Sequence, residues 1–410
     1  MVIEKKYIPA IGLSSVIFLW AYQIEIGTSG IPSYVLLNVL LFFIYGFRTV
    51  EIKNFIVLTI ISFSFLFIQT LGIIELTTPF RSIVGIPLFI MTLIICSRWL
   101  VESKYNLEIL FKVFKFFIIA QLTYQLIQMI LWYFDLYHSD YLHYFFNGPR
   151  VSGFYREPSH VAYSLSPFIY LIIFKYKYTS KALGRFGLIS LFLIFFLSIC
   201  STLIAVFVIC CFFRFMIVGE TIKSLFYKSF GILLLIIAFI FLLDFMPALK
   251  ERVDLTLSFF WSNNIIYSQD TNLSVLAFVK GWQMAMASLS ETLLGAGFLN
   301  LQYFNEYSEV SKISERHYNL NTMEGTSSAF KMIGEFGYLG LILIIYVVVK
   351  FVKNCNKEIY FSVYENLFLF GLIASFIRGA SYFDGVVMIA FSLIYLNFFK
   401  KNNYESSSLY

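Results

Sequence analysis

The sequence is built from apolar runs of about twenty residues, and this feature constrains the fold more than any other. A helix needs ~20 apolar residues to cross the hydrocarbon core of a bilayer. Only 13% of the residues are charged, about half the share typical of a soluble domain. The sequence therefore predicts an all-α polytopic membrane protein, a single integral membrane domain over 1–410 with about twelve transmembrane helices, at approximately 8–26, 31–47, 55–74, 83–100, 113–134, 158–175, 186–199, 202–218, 229–247, 329–350, 361–377 and 383–399.

The apolar run at 186–218 leaves the span count open at one place. No polar connection interrupts it, although it is longer than a single crossing requires. The pattern is compatible with two short spans, a re-entrant pair, or one long tilted helix.

The distribution of basic residues predicts the orientation of the chain. In membrane proteins, the short loops on the cytoplasmic side carry an excess of Lys and Arg. With a cytoplasmic N-terminus, only Arg81, Arg150, Arg156 and Arg378 fall in or beside short outer segments, and most other Lys and Arg residues fall inside. This asymmetry predicts an even number of spans and two cytoplasmic termini. Because the basic residues are dispersed, the net charge of +6 does not indicate a nucleic-acid partner.

Two predicted outer loops are candidates for function. One covers about 135–157, and the other covers about 248–328 and is far longer than a connection needs. Loops longer than ~15 residues are usually functional or disordered. The second loop contains LSVLAFVKGWQMAMASL (273–289), whose apolar spacing predicts an amphipathic helix lying on the membrane or on the helical bundle.

The stretch GPRVSGFYREPSHVAYSL (148–165) concentrates charge at the predicted outer end of the sixth span. Pro158 suits the first turn of a helix, which makes Glu157 the predicted N-cap residue. Amides at a helix start, with Arg150 and Arg156 beside them, can bind phosphate. Glu157 would act as a base or orient an arginine. Alternatively, the cluster only anchors the span at the interface.

Further cationic residues are predicted on the same side of the membrane. They are Arg81, Lys280 and Arg316, with His317 next to Arg316. A pyrophosphate needs two or more cations, and arginine is suited to bidentate contacts with phosphate. The segment HSDYLH (138–143) fits no strong metal motif, and the sequence has no DxD triplet, P-loop, GxSxG or HExxH. We therefore expect no metal and no cofactor.

Three patches resemble the Wzy-type polymerases of O-antigen and capsular polysaccharide, within the O-antigen polymerase–ligase superfamily. The first is R-x-x-G-x-x-x-E-P-S, formed by Arg150, Gly153, Glu157, Pro158 and Ser159. The second is LLGAGF (293–298), which resembles a Leu-Gly-x-Gly turn. The third is GTSSAFKMIGEFGYLGL (325–341), which resembles a Ser-containing segment followed by E-x-G-x-x-G. The resemblance implies a GT-C-like glycosyltransferase architecture in the bacterial plasma (inner) membrane.

The resemblance also implies a reaction on the outer face of that membrane. A growing glycan moves from undecaprenyl pyrophosphate to the sugar of a new undecaprenyl-pyrophosphate-linked repeat unit. The cations Arg81, Arg150, Arg156, Lys280 and Arg316 would bind the pyrophosphate, and Glu157, His317 or Glu324 would accept the hydroxyl proton. Related proteins often have arginine where this sequence has Lys280. Expected partners are the bilayer, the lipid-linked glycans, a chain-length regulator and a flippase.

Two other functions remain open on the sequence alone. O-antigen ligases tend to have Asn-Pro-Asn in place of EPS and His-Asn in place of TSS (326–328), so both differences favour a polymerase. A non-enzymatic repeat-unit flippase would place its charges near the middle of the membrane. The predicted spans do contain Gln69, Gln121, Gln125 and Gln128, which would either line a lipid groove or bridge helices.

Overall fold

The protein is helical almost throughout the part of the chain that the structure describes. The computed structural model describes residues 7–20, 23–26, 29–45, 49–71, 79–104, 107–138, 148–217, 231, 234, 237, 241, 244, 247–261, 272–322, 326–355, 360–379 and 381–399. Within these ranges the β structure is one antiparallel hairpin, β1 (Gln23–Ile26) with β2 (Ser29–Pro32), in which Gln23 lies opposite Pro32. The predicted helical architecture is therefore confirmed for the described residues, and the hairpin is an addition to it.

Sixteen α-helices can be delimited among the described residues. They are α1 (Ile8–Leu19), α2 (Ser33–Tyr45), α3 (Thr49–Leu71), α4 (Pro79–Lys104), α5 (Leu107–Tyr133), α6 (Pro158–Ser164), α7 (Ser166–Phe174), α8 (Tyr176–Leu197), α9 (Ser201–Ile217), α10 (Pro247–Trp261), α11 (Leu273–Glu291), α12 (Glu315–Tyr318), α13 (Ser328–Phe336), α14 (Tyr338–Cys355), α15 (Tyr360–Ser375) and α16 (Gly385–Phe399). Two 3₁₀ helices, Leu301–Tyr307 and Glu309–Lys312, lie between α11 and α12.

Among the described residues, five helices are long and apolar enough to cross a membrane. The qualifying stretches are Thr49–Thr70, Ser82–Ser103, Glu108–Tyr133, Tyr176–Leu197 and Tyr338–Cys355. Ile8–Leu19, Ser201–Met216, Val363–Ser375 and Gly385–Phe398 are shorter apolar helices. These elements fit an α-helical polytopic membrane protein. Of the predicted span at 229–247, the structure describes only isolated helical positions and the start of α10.

The run at 186–218 forms two helices, because α8 ends at Leu197 and α9 begins at Ser201. This agrees with two separate segments, either two short spans or a re-entrant pair, and excludes one long helix. Two other predicted spans differ from single straight helices. The span predicted at 158–175 is divided at Leu165, which precedes a helix with proline in its first turn. The span predicted at 329–350 is divided at Gly337, whose φ of 58° ends α13.

The apolar interior joins the inner faces of most of the long helices. Its largest fully buried side chains include Trp99 of α4, Phe114 of α5 and Phe168 of α7. In contrast, α3 exposes large apolar side chains on its outer face, among them Ile60 at 60% and Phe67 at 61%. A wide apolar face of this kind is unfavourable in water and suits contact with lipid.

The described residues between α10 and α13 form small apolar clusters of their own and also pack on α13. The predicted amphipathic helix is present as α11, and its buried residues form small apolar clusters with the segment that follows, for example Val279 with Val310. Phe278 and Trp282 also contact the ring of Phe330 in α13, at centroid distances of 5.0 and 5.7 Å. This helix therefore lies against the protein rather than standing alone.

Candidate functional site

The start of α6 places Glu157 as the sequence predicted. Glu157 is the N-cap residue, with extended backbone angles, and Pro158 occupies the first helical position. Its carboxylate makes no hydrogen bond to the helix amides. Instead, the Ser159 hydroxyl donates to Glu157 Oε2 at 2.9 Å, and the Arg378 guanidinium lies 3.8 Å from the same oxygen. Glu157 thus contacts an arginine that is distant in sequence.

The backbone of the motif is held by three buried glutamines of α5. Gln121, Gln125 and Gln128, called the glutamine ladder from here on, follow one another at spacings of four and three residues and so share one helix face. These side chains form hydrogen bonds that join α5 to the backbone of residues 151–154. The bonds run from Gln121 Nε2 to Ser152 O (2.9 Å), from Phe154 N–H to Gln121 Oε1 (2.8 Å), from Gln125 Nε2 to Val151 O (3.1 Å) and from Gly153 N–H to Gln128 Oε1 (2.8 Å).

Gly153 is required at its position for two independent reasons. Its φ is +60°, a left-handed conformation that side chains rarely adopt. A Cβ atom there would also lie only 2.3 Å from the Nε2 of Gln121 and 2.6 Å from its Oε1. The glycine of R-x-x-G thus allows the backbone to approach the ladder closely.

Arg150 lies beside this held segment and is almost completely buried, at 8% exposure. Val151 N–H donates to Leu197 O at 3.3 Å, and the Ser198 hydroxyl donates to Val151 O at 2.8 Å. The Arg150 Nη1 is 3.5 Å from Ile199 O. The turn between α8 and α9 therefore contacts both Arg150 and the residue that follows it.

The TSS segment (326–328) sets the position of Arg378. Ser327 caps α13, and its hydroxyl also donates to Phe376 O at 2.6 Å. The Ser328 hydroxyl donates to Gly379 O at 3.1 Å, and Thr326 donates from Oγ1 to Ala277 O in α11 at 2.9 Å. These bonds hold the chain that follows α15 against the start of α13, which is itself bonded to α11. Arg378 is thereby brought to the motif.

Arg150, Glu157 and Arg378 line one cavity of about 260 Å³. Its other walls are the start of α9, the first turn of α11 and the 320–321 segment. Two guanidinium groups and one carboxylate give this space a net positive charge, which favours an anionic ligand. Burial raises the pKa of the Cys200 thiol in the wall.

Three of the other predicted cations, Arg156, Lys280 and Arg316, do not line this cavity. Arg156 and Arg316 are exposed. Lys280 is buried, and its ammonium group donates to the carbonyls of His317 and Tyr318 at 2.9 and 2.7 Å. This burial lowers the pKa of Lys280 to about 8. Arg81 lies in the first turn of α4, and its side chain is outside the described part of the structure.

Of the predicted proton acceptors, only Glu157 is found in the cavity. The ring of His317 is buried, and its Nδ1 is 2.7 Å from the Ser314 hydroxyl. Glu324 lies outside the described residues. Asp140 and His143, considered above for a metal, are also outside them. In the ranges that the structure does describe, no three His, Cys, Asp or Glu side chains are grouped to hold a metal ion.

The other two patches of resemblance dock on each other. Ala296 N–H donates to Gly334 O at 2.9 Å, and Gly297 N–H donates to Glu335 O at 3.0 Å. The Glu335 carboxylate is buried and accepts from Leu299 N–H at 2.9 Å. Gln69 of α3 donates to the carbonyls of Leu294 and Glu335. The LLGAGF turn and the following E-x-G-x-x-G segment are therefore one structural unit.

Comparisons with known proteins give no family assignment. No protein-family model matches the sequence, and no curated protein matches it. Support for a function therefore comes from the residues of the cavity and from the resemblance of the motifs.

Proposed function

We propose that the protein is a metal-independent glycosyltransferase that polymerises lipid-linked oligosaccharide repeat units. The observation that carries this proposal is the cavity in which Arg150, Arg378 and Glu157 converge from distant parts of the sequence. Two guanidinium groups suit a pyrophosphate, because each can form paired hydrogen bonds with phosphate oxygens. The resemblance of the R-x-x-G-x-x-x-E-P-S segment supplies the substrate class, a glycan on undecaprenyl pyrophosphate.

The proposed reaction exchanges one bond at the anomeric carbon of the donor glycan. A hydroxyl of the incoming lipid-linked repeat unit forms a new carbon–oxygen bond there, while the bond to the pyrophosphate breaks. Negative charge develops on the departing undecaprenyl pyrophosphate, and Arg150 and Arg378 stabilise it. Arg150 is suited to this role because its burial weakens competition from water.

Glu157 is the proposed acceptor of the hydroxyl proton. Among the described residues it is the carboxylate that lines the cavity. Ser159 and Arg378 hold its Oε2 from two directions, which orients the carboxylate. General-base catalysis by a positioned carboxylate contributes typically 10²–10⁴-fold in rate.

The proposal includes a topology of about twelve spans with both termini cytoplasmic. In this arrangement the cavity opens on the outer face of a bacterial plasma membrane, where repeat units arrive after a flippase has moved them. A chain-length regulator and the flippase are the proposed protein partners. The candidate membrane-spanning helices and the basic residues of the predicted inner loops support this topology.

A deletion strain tests the function against its alternatives. If the protein is the polymerase, we expect surface glycan one repeat unit long, and a plasmid copy of the gene should restore long chains. Loss of all surface glycan would contradict the proposal and indicate a flippase. Long glycan that accumulates on its carrier lipid without reaching the final acceptor would indicate a ligase.

A further inference from the structure

We infer that the glutamine ladder consists of positioning residues that hold Arg150 in its reactive place. This inference rests on the proposed function, because it concerns the arginine that would stabilise the departing pyrophosphate. The three glutamines do not line the cavity. They act through the backbone of 151–154, to which they are directly bonded.

The chemistry of the segment explains why glutamine stands at these positions. Residues 150–155 are not helical and yet are packed in the bundle, so their amides and carbonyls lack regular partners. Buried backbone amides and carbonyls need hydrogen-bond partners, and an irregular segment must find them outside a helix or sheet. A glutamine amide offers two donors and an acceptor, which is what an unpaired stretch of backbone needs.

The ladder is also coupled to the turn between α8 and α9. Gln125 Nε2 donates to Val151 O at 3.1 Å and to the Ser198 hydroxyl at 2.5 Å, and Ser198 in turn donates to Val151 O. The residue after Arg150 is therefore held from both α5 and the turn that leads to α9. Stabilisation of a transition state requires placement within about 0.5 Å, and this arrangement supplies such a constraint.

These three glutamines do not line a lipid-facing groove, because their side chains are buried inside the protein. Gln121 and Gln125 are 0% exposed, and Gln128 is 6% exposed. By contrast, Thr123 on the same helix is exposed and bonds only within α5 among the contacts shown, to Ile119 O. Thr123 is thus a matched control position on the outer face of α5.

Hydrogen exchange of the purified protein tests the ladder without reference to any activity. Gln121→Met keeps the side-chain length and removes the bonds to Ser152 and Phe154. Two neutral hydrogen bonds together are worth about a thirtyfold change in an equilibrium constant. We therefore expect amide exchange in the peptide covering 150–155 to rise about thirtyfold, and about as strongly in Gln125→Met, which also removes two bonds. Thr123→Val should leave it unchanged.

Turnover with undecaprenyl-pyrophosphate-linked repeat units tests the consequence for the reaction. Because Arg150 is proposed to act in the transition state, Gln121→Met should lower kcat about tenfold with KM changed less than about twofold. Unchanged exchange in 150–155 would overturn the ladder as a support of the motif. Increased exchange with normal kcat would overturn its positioning role while the proposed function stands. If the unaltered protein makes no polymer, the proposed function fails and the role in this reaction fails with it, whereas the exchange result still decides whether the ladder holds the motif.

Discussion

Replacing Gly153 with alanine is expected to stop polymerisation while the protein still inserts into the membrane. The backbone of the new alanine would have to adopt a φ of +60°. Its Cβ atom would lie 2.3 Å from Gln121 Nε2. Left-handed backbone costs an L-residue about 1–2 kcal/mol. Displacing Gln121 removes two hydrogen bonds, each worth about 1 kcal/mol. The correctly placed segment is thus disfavoured by about 3–4 kcal/mol, or 100-fold or more in its population.

Gly184 provides a matched control for this prediction. It also has a positive φ, of 69°, with a ψ of 172°, a combination almost confined to glycine, so an alanine there is strained too. A Cβ atom at Gly184 would, however, meet only Lys115 Nζ at an ordinary 3.6 Å. Gly184→Ala therefore carries the backbone strain without the collision, and it lies away from the cavity. Turnover of lipid-linked repeat units by equal amounts of purified protein is the assay. We expect Gly184→Ala to retain activity within a few-fold.

A double variant separates the collision from the strain. In Gly153→Ala with Gln121→Ala the collision is gone, so the combined loss should be clearly smaller than the sum of the two single losses. The reasoning would be refuted if Gly153→Ala made polymer at the normal rate. It would also be refuted if Gly153→Ala and Gly184→Ala lost equal activity.

Three further outcomes follow from the placement of the charged residues. Arg378→Ala should reduce polymerisation at least 100-fold. Arg156→Ala should change the rate less than about twofold, because that side chain is exposed and does not line the cavity. Equal effects of the two variants would contradict the cavity as the site. Lys280→Met removes two hydrogen bonds from a charged donor, each worth about 1.5–3 kcal/mol. The two carbonyls keep their bonds from Leu320 N–H and Asn305 Nδ2, but proteolysis within 301–322 should accelerate, while Lys312→Met at the surface should have no measurable effect. A reporter fused after Asn300 should report an extracytoplasmic position, and a cytoplasmic position would contradict the proposed topology.

The sequence predicted those features that depend on local patterns. Glu157 was placed at an N-cap because proline at the first helical position is a local signal. The helix over 273–289 followed from apolar spacing alone, and α11 confirms it. The division of the predicted sixth span at Leu165 was missed, because hydropathy stays high across the break although Pro167 marks it.

The contacts that build the site depend on the fold and were not predicted. Glu157 and Arg378 are far apart in the sequence, and their approach requires the bonds of TSS to the end of α15. The partners of the Lys280 ammonium group could not be predicted either, because the spacing of an amphipathic helix does not show which segment will pack on it. The i, i+4, i+7 spacing of Gln121, Gln125 and Gln128 was an available signal for a shared face. It did not show that the face meets the motif.

The central claim is tested most directly by reconstitution of the purified protein with undecaprenyl-pyrophosphate-linked repeat units in liposomes. The mixture contains no nucleotide sugar and includes a chelator of divalent cations. The account predicts a series of polymers that differ by one repeat unit and the release of one undecaprenyl pyrophosphate for each linkage formed. It also predicts that Arg150→Ala and Glu157→Gln abolish both products, while Arg185→Ala, an exposed arginine of the predicted inner side, retains them. The account would be contradicted by wild-type protein that forms no linkage, or by either cavity variant that polymerises normally.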